Sequence, residues 1–355
     1  MANYKRINGL QHIGVAVSDM DRSLPFYRKF FGLNIPFFDS VQPAPLMDVY
    51  TRNSTITKRA SMVINLQGGC AIEVIQPTSF TPKSVDFEIG PGDLGIVITQ
   101  IKCADILVAH HQCKSLGAPT ITKIYEAPHG GKTFYITDPD NNLWQFVESN
   151  EWYTAGKHFS GGVAGCTIGV SNMTDALALY SGLLGYDKIV SDQTTIFNDW
   201  SELPQGNKEY RRVKLTQGNR PGGGFAKVMG TTYIELVQDI KNEGRFIFQD
   251  RIWGDIGFAH VGFDVKGMSL LGEDLARAGY PFTCDSRSAL NMGTTKVHCT
   301  YIHDKDRTLL ELIEVYKVPI MEKWGIYLNV EKRDPMKPLP DFMLKALRFS
   351  RIQDV

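Results

Sequence analysis

Four residues whose side chains can bind a divalent metal ion lie in similar apolar contexts near the two ends of the chain. His12 and His260 each lie in an apolar stretch, and Glu73 and Glu311 alternate with apolar neighbours. Such alternation predicts strands with one buried face and one face directed at a polar space. Imidazole together with carboxylate suits Zn, Ni, Fe, Mn or Co. Taken alone, the histidines fit a buried structural role as well as a metal site.

The elements that hold these residues come from a duplicated sequence. The stretch that begins at Val15 matches the stretch that begins at Ile168, with identical residues at one constant offset. These identities are Val17/Val170, Ser18/Ser171, Met20/Met173, Leu24/Leu177, Tyr27/Tyr180 and Gly32/Gly185. A second pair of stretches, from Tyr135 and from Tyr301, shares Tyr, Ile, two Asp, Leu and Glu at fixed spacing. Repeats of this kind predict two halves, residues 7–150 and 161–317.

Each half divides again into two smaller units. In the first unit an apolar strand from Leu10 to Val17 leads into a polar helix start, and the helix ends at Gly32. Apolar segments that follow are typical of strands, which gives the order β-α-β-β-β. The same order recurs, and the four predicted modules are residues 7–77, 93–149, 163–239 and 257–317. Residues 318–355 match no module and are predicted to form a tail packed on the outside or against a partner.

Three motifs resemble the vicinal oxygen chelate superfamily, which includes glyoxalase I, bleomycin resistance proteins and extradiol dioxygenases. They are the strand His-Ile-Gly-Val-Ala-Val, the following Ser-Asp-Met-x-x-Ser-x-x-Phe-Tyr, and the later Asp-Pro-Asp-x-Asn-Leu. The resemblance implies an α+β fold in which two modules join into an open, eight-stranded cup around a divalent metal ion. It also implies that each module offers two ligand positions, one on its first strand and one on its last.

These ligand positions are filled at the two ends of the chain and depleted in the middle. Module one offers His12 and Glu73, and module four offers His260 and Glu311. The middle modules have Ile96 or Gly95 with Gln145, and Gly165 with Glu235. We therefore predict that module one pairs with module four around one metal ion. Modules two and three would form a second cup that is vestigial or binds a ligand without metal, an arrangement similar to that of monomeric glyoxalase I.

The resemblance implies a metal-dependent lyase or isomerase that acts on a small oxygenated metabolite. Four protein ligands leave two adjacent positions for two substrate oxygens, and the metal stabilises an enediolate. Glu73 or Glu311 would be the catalytic base if it leaves the metal. Two alternatives stay open. An Fe(II) dioxygenase would use His12, His260 and Glu311, and a binding or resistance protein would hold a ligand without turnover.

Composition excludes several other classes. The chain has 355 residues with 38 basic and 38 acidic side chains, so no net field attracts nucleic acid or an anionic membrane. Hydrophobic content of 43% and charged content of 21% are typical of a globular protein. The six cysteines form no Cys-x-x-Cys pair, and no signal peptide or membrane span is recognisable. We therefore expect a cytoplasmic monomer or homodimer with a small-molecule substrate.

Overall fold

The computed structural model describes residues 4–219, 222–287, 290–292, 295–321, 326–330, 333–334 and 336–352. Within them, each module follows the predicted order of one strand, one helix and three further strands. The first module contains β1 (Arg6–Ala16), α1 (Met20–Phe31), β2 (Ile35–Pro43), β3 (Thr57–Ile64) and β4 (Ala71–Pro77), with a 3-10 helix over Pro45–Tyr50. The second contains β5 (Gly95–Cys103), α2 (Ile106–Ser115), β6 (Tyr125–Glu126), β7 (Lys132–Thr137) and β8 (Leu143–Glu148).

The second half of the chain repeats this order with additions. The third module contains β9 (Ser160–Gly169), α3 (Met173–Leu177) with a π-helical continuation over Ala178–Leu183, β10 (Lys188–Ile196), a 3-10 helix over Asn198–Trp200, β11 (Glu209–Thr216), α4 (Ala226–Met229) and β12 (Tyr233–Asp239). The fourth contains β13 (Gly257–Lys266), α5 (Met268–Arg277), β14 (Cys284–Asp285), β15 (Leu290–Met292), β16 (Thr295–His303) and β17 (Leu309–Met321). Strand β18 (Ile326–Asn329), α6 (Asp341–Ala346) and a 3-10 helix over Leu347–Ser350 follow.

The strands form two mixed sheets, and their order confirms the predicted pairing of modules. One sheet, the outer cup, runs β14-β16-β17-β13-β1-β4-β3-β2 and joins modules one and four. The inner cup runs β10-β11-β12-β9-β5-β8-β7-β6 and joins modules two and three. In both, the first strands of the paired modules lie antiparallel at the centre. The short strands β15 and β18, which the sequence did not predict, extend the outer cup beyond eight strands.

The predicted tail contacts the chain itself. Strand β18 pairs with β17, and Leu344 and Leu347 are buried in a cluster with Ile35 and Met62 of the outer cup. The division of the chain into the halves 7–150 and 161–317 stays a prediction. Among the described residues no helix has the length and apolar character that crossing a membrane requires.

The repeated residues include pairs that join neighbouring modules. Tyr27 on α1 donates a hydrogen bond to Asp138 at 2.7 Å, and Tyr180 donates to Asp304 at 2.8 Å. Both tyrosines are fully buried. Each carboxylate also accepts backbone N–H groups of its own turn, so the pair fixes a helix of one module against the hairpin of the next.

The largest core cluster lies on the face of each sheet opposite the predicted ligand positions. It contains Ile13 and Val15 of β1, which alternate with His12, and Ile72 and Val74 of β4, which flank Glu73. Successive residues of a strand point to opposite faces, so burial of this apolar set directs the ligand positions into the concave side of the outer cup.

Candidate metal centre

The four side chains that the sequence singled out meet inside the outer cup. Each offers one ligand atom, and these atoms all lie within 4.8 Å of one another. His12 and His260 lie on β1 and β13, which pair antiparallel. Glu73 lies on β4, which runs parallel to β1, and Glu311 lies on β17, which runs parallel to β13. None of the four side chains is more than 4% exposed. Pairing of modules one and four therefore brings together residues from opposite ends of the sequence.

The distances between donor atoms fit a single cation. His12 Nε2 lies 3.0 Å from His260 Nε2 and 3.1 Å from Glu311 Oε2. His260 Nε2 lies 3.3 Å from both Glu311 Oε2 and Glu73 Oε2, while His12 Nε2 lies 3.8 Å from Glu73 Oε2. Two bonds of about 2.1 Å at a right angle separate their donor atoms by about 3.0 Å. The spacing is therefore that of adjacent ligands on one ion.

Each carboxylate presents one oxygen to this centre and has the other oxygen held by the protein. Glu311 Oε1 accepts hydrogen bonds from Tyr301 at 2.8 Å and from the Cys299 thiol at 2.7 Å. Glu73 Oε1 accepts one from Lys58 at 3.2 Å. Glu311 Oε2 is buried without a hydrogen-bond partner among the described residues. A buried carboxylate oxygen in this state calls for a cation.

Buried charge controls the ionisation of the cluster. Burial raises the pKa of Glu73, but the Lys58 ammonium and His260 outweigh burial and bring the pKa to about 2. Burial also opposes ionisation of Glu311, yet His260 and His12 hold the pKa of that carboxyl well below its usual range. Burial lowers the pKa of His260, but the two carboxylates outweigh it and raise the pKa to about 9. Both carboxylates are therefore ionised.

Two glycines make room for the imidazole rings. In the register of β1 and β13, His12 lies opposite Gly262 and His260 lies opposite Gly14. A Cβ atom on Gly262 would lie 2.2 Å from His12 Cε1, and one on Gly14 would lie 2.2 Å from His260 Cε1. The His-x-Gly spacing in both modules is thus a signal of the site that sequence reasoning overlooked.

The inner cup has other residues at the positions of His12 and His260. Gly165 is the strand partner of Tyr233, two residues before Glu235, and His12 is the strand partner of Ala71, two residues before Glu73. Gly165 therefore takes the place of His12, as predicted. The position of His260 is taken by Ile98, whereas the sequence pointed to Ile96 or Gly95. The segment between the first and last strands is shorter in module two than in module four, so the sequence alone did not fix the equivalent position.

An ion pair fills the centre of the inner cup. Glu235, at the position of Glu73, accepts a hydrogen bond from Arg212 Nε at 2.7 Å, and Arg212 Nη1 donates to Asp199 at 2.8 Å. The guanidinium lies 4.1 Å from the centre of the Trp200 ring. Lys214 lies directly opposite Glu235 in the sheet. The outer cup has a candidate metal site at its centre, whereas the inner cup has the charged guanidinium of Arg212.

The sequence did not indicate the residues that support the four ligands. Lys58 and Cys299 lie on strands whose register only the folded sheet defines, and Gln11 Oε1 lies 3.1 Å from His12 Nδ1. Tyr301 did carry a signal, because it is identical with Tyr135 in the repeat. Tyr135 faces the inner cup and donates a hydrogen bond to Asp199 at 3.1 Å.

Comparison with known proteins agrees with this architecture. The sequence model of the Glyoxalase/Bleomycin resistance protein/Dioxygenase superfamily matches residues 9–146. The match spans the first two modules, and it confirms the resemblance stated from the sequence. No curated protein sequence matches the chain.

Solved structures with the same fold include enzymes of two kinds. Glyoxalase I from Zea mays has a TM-score of 0.53 at 14% identity, and the match covers 88% of this chain and 92% of that one. A single-residue variant of that enzyme gives 0.54 at 17% identity, with 88% and 92% covered. A candidate dioxygenase from Bacillus subtilis gives 0.57 at 14% identity, with 88% and 86% covered. Similarity at these identities shows the fold alone.

Proposed function

We propose that this protein is a metal-dependent enzyme of the glyoxalase type, a lyase or isomerase that acts on a small oxygenated metabolite. The convergence of two imidazoles and two carboxylates on one point of the outer cup carries this proposal. A Zn, Ni, Fe, Mn or Co ion bound there would polarise a substrate carbonyl and stabilise the enediolate that forms when the adjacent carbon loses a proton.

Each of the four side chains has a role that follows from its contacts. His12 and His260 would bind the ion through Nε2 and Glu311 would bind it through Oε2, because Tyr301 and Cys299 occupy Glu311 Oε1. Glu73 is our candidate for the base. Its Oε2 lies farther from His12 than that of Glu311, at 3.8 Å against 3.1 Å, and a single donor holds its other oxygen.

Glu73 would take a proton from the substrate carbon next to the carbonyl and return it. Return by Glu73 to the neighbouring carbon gives an isomerised product, whereas an epimer requires a second group that protonates the opposite face of the same carbon. Lys58 keeps Glu73 ionised before the transfer and holds its side chain in place.

The test compares metal content with proton exchange in matched variants. The wild-type chain should bind one metal ion and exchange the proton next to the carbonyl of an α-hydroxy ketone or a hemithioacetal for deuterium in D₂O. Glu73→Gln should keep the metal and lose the exchange. Glu311→Gln and His260→Ala should lose the metal. The control is Glu235→Gln, at the position in the inner cup that corresponds to Glu73, and it should change neither.

Two outcomes would contradict the proposal. A wild-type chain that takes up none of the five ions removes the metal centre. Metal uptake without proton exchange on either the α-hydroxy ketone or the hemithioacetal removes the isomerase assignment. The protein would then bind its ligand without turnover.

An Fe(II) dioxygenase is the second candidate, and one set of distances favours it. His12, His260 and Glu311 lie 3.0 to 3.3 Å apart, whereas Glu73 lies 3.8 Å from His12. Three ligands on one face leave positions for a substrate and O₂. Oxygen consumption with catechols after anaerobic loading with Fe(II), retained in Glu73→Gln, would support this candidate. Absence of consumption in the wild type would exclude catechol cleavage.

A further inference from the structure

The outer cup contains an apolar cavity of about 130 Å³ beside the candidate metal centre. Met62, Ile313 and Val315 of the sheet form part of its wall, and Val228 and Leu339 cover it from the other side. An engineered apolar cavity of about 150 Å³ binds benzene. The cavity therefore has room for a group of about the size of one aromatic ring.

Sheet register places this cavity next to the metal ligands. Ala71, which lines it, is the strand partner of His12, and Met62 is the strand partner of Glu73. Gln11 lines it as well and contacts His12 Nδ1 at 3.1 Å. A group that occupies the cavity can thus belong to the same small molecule that presents its oxygens to the four ligands.

One buried polar atom in the cavity wall lacks a partner. Asn8 is 4% exposed and donates a hydrogen bond from Nδ2 to Asp264 at 3.1 Å. Its Oδ1 is buried and accepts no hydrogen bond among the described residues. Leaving a buried acceptor unpaired is unfavourable. A ligand that brings a hydroxyl or N–H donor to this atom removes that cost.

Two segments outside the regular strands close the cavity. The N–H of Leu339, in the C-terminal segment, donates to Gly224 O at 2.8 Å, and Lys227 pairs with Asp341 at 2.6 Å. Val228 of α4 and Leu339 are both buried. The cover thus comes from an insertion in module three and from the segment after module four, so the shape of the cavity is a property of this chain rather than of the β-α-β-β-β repeat.

We propose that the cavity binds the apolar, ring-sized body of the substrate, and that a hydroxyl or N–H donor on this body pairs with Asn8 Oδ1. The oxygens at the other end of the substrate face His12, Glu73, His260 and Glu311. The substrate class is an apolar, ring-bearing hydroxy compound with neighbouring oxygens. This assignment rests on the proposed function, but binding of the ring alone requires no metal.

The test uses toluene and 4-methylphenol, which differ by one hydroxyl. Binding of each to the full chain is measured by calorimetry, before and after treatment with a chelator. Both probes should bind in both states. In Asn8→Leu the affinity for 4-methylphenol relative to toluene should fall about tenfold, the equivalent of one hydrogen bond. Val228→Phe should fill the cavity and abolish binding of both probes, while the control Val190→Phe, at an exposed site on β10, should bind them as the wild type does.

Failure of this proposal is distinguishable from failure of the proposed function. If neither probe binds the wild type, or if Val228→Phe binds both unchanged, the cavity is not a ligand site. If Asn8→Leu is folded and keeps the wild-type ratio of affinities, the assignment of Asn8 is wrong. A separate metal titration tests the metal centre, since the probes bind without it.

Discussion

Replacement of Gly262 by alanine should remove His12 from the metal site without altering any ligand. A Cβ on residue 262 would lie 2.2 Å from His12 Cε1 and 2.8 Å from His12 Nε2. An ordinary contact begins near 3.4 Å, so the ring must retreat by about 1 Å. Metal–ligand distances tolerate only about 0.2 Å. Because changes in residues that support ligands already weaken metal binding by about 10 to 100-fold, we expect a loss of at least about 100-fold.

The assay is a competition titration of the metal-free chain with a chromophoric chelator. Gly14→Ala should weaken metal binding in the same way, because its Cβ would meet the ring of His260. The matched control is Gly182→Ala, because a Cβ at that position meets no atom within 4 Å. Metal affinity of wild-type strength in a folded Gly262→Ala variant would refute the assignment of His12 as a ligand held against this glycine.

Three further predictions concern the supporting residues and the inner cup. Tyr301→Phe removes a donor to Glu311 and should weaken metal binding about 10 to 100-fold, whereas Tyr135→Phe, at the same module position, should not change it. Arg212→Met leaves buried carboxylates without their cation and should lower the free energy of unfolding by about 3 to 5 kcal/mol in urea titrations, and combining it with Glu235→Gln should restore part of this loss. Burial raises the pKa of Glu235, but Arg212 and neighbouring cations bring it to about 2. The ionised form of Glu235 therefore contributes its stability above pH 4.5. The free energy of unfolding should fall as the pH is lowered towards 2, and Glu235→Gln should not show this contribution.

Repetition in the sequence was enough to predict the arrangement of modules. The contrast between filled ligand positions in modules one and four and depleted ones in modules two and three pointed to the observed pairing. It also placed His12 next to His260, 248 residues away. Alternation of apolar and polar residues around Glu73 and Glu311 indicated which face they occupy, because a strand has only two faces.

Other features depend on contacts that one sequence does not encode in a visible pattern. The position equivalent to His260 is Ile98 rather than Ile96, because the segments between the first and last strands of modules two and four differ in length. Lys58 reaches Glu73 from the neighbouring strand β3, and its type alone is typical of a solvent-exposed residue. The cover of the cavity comes from segments without a repeat, so the internal comparison that located the modules gave no information about Val228 or Leu339.

The two cups solve one electrostatic problem in different ways. In the inner cup, Glu235 and Asp199 face Arg212 and Lys214, and these buried charges balance. In the outer cup, Glu73 and Glu311 face one buried lysine, Lys58, among the described residues that contact them. With neutral imidazoles this leaves one uncompensated negative charge at a site that is almost completely buried, and burial of unpaired charge is strongly unfavourable. A proton on His260 balances that charge, but it places an N–H between donor atoms spaced for metal bonds. A divalent cation changes the sign of that charge without balancing it, but it uses all four donors at their observed spacing. The spacing of the donors is therefore why we propose metal chemistry for the outer cup.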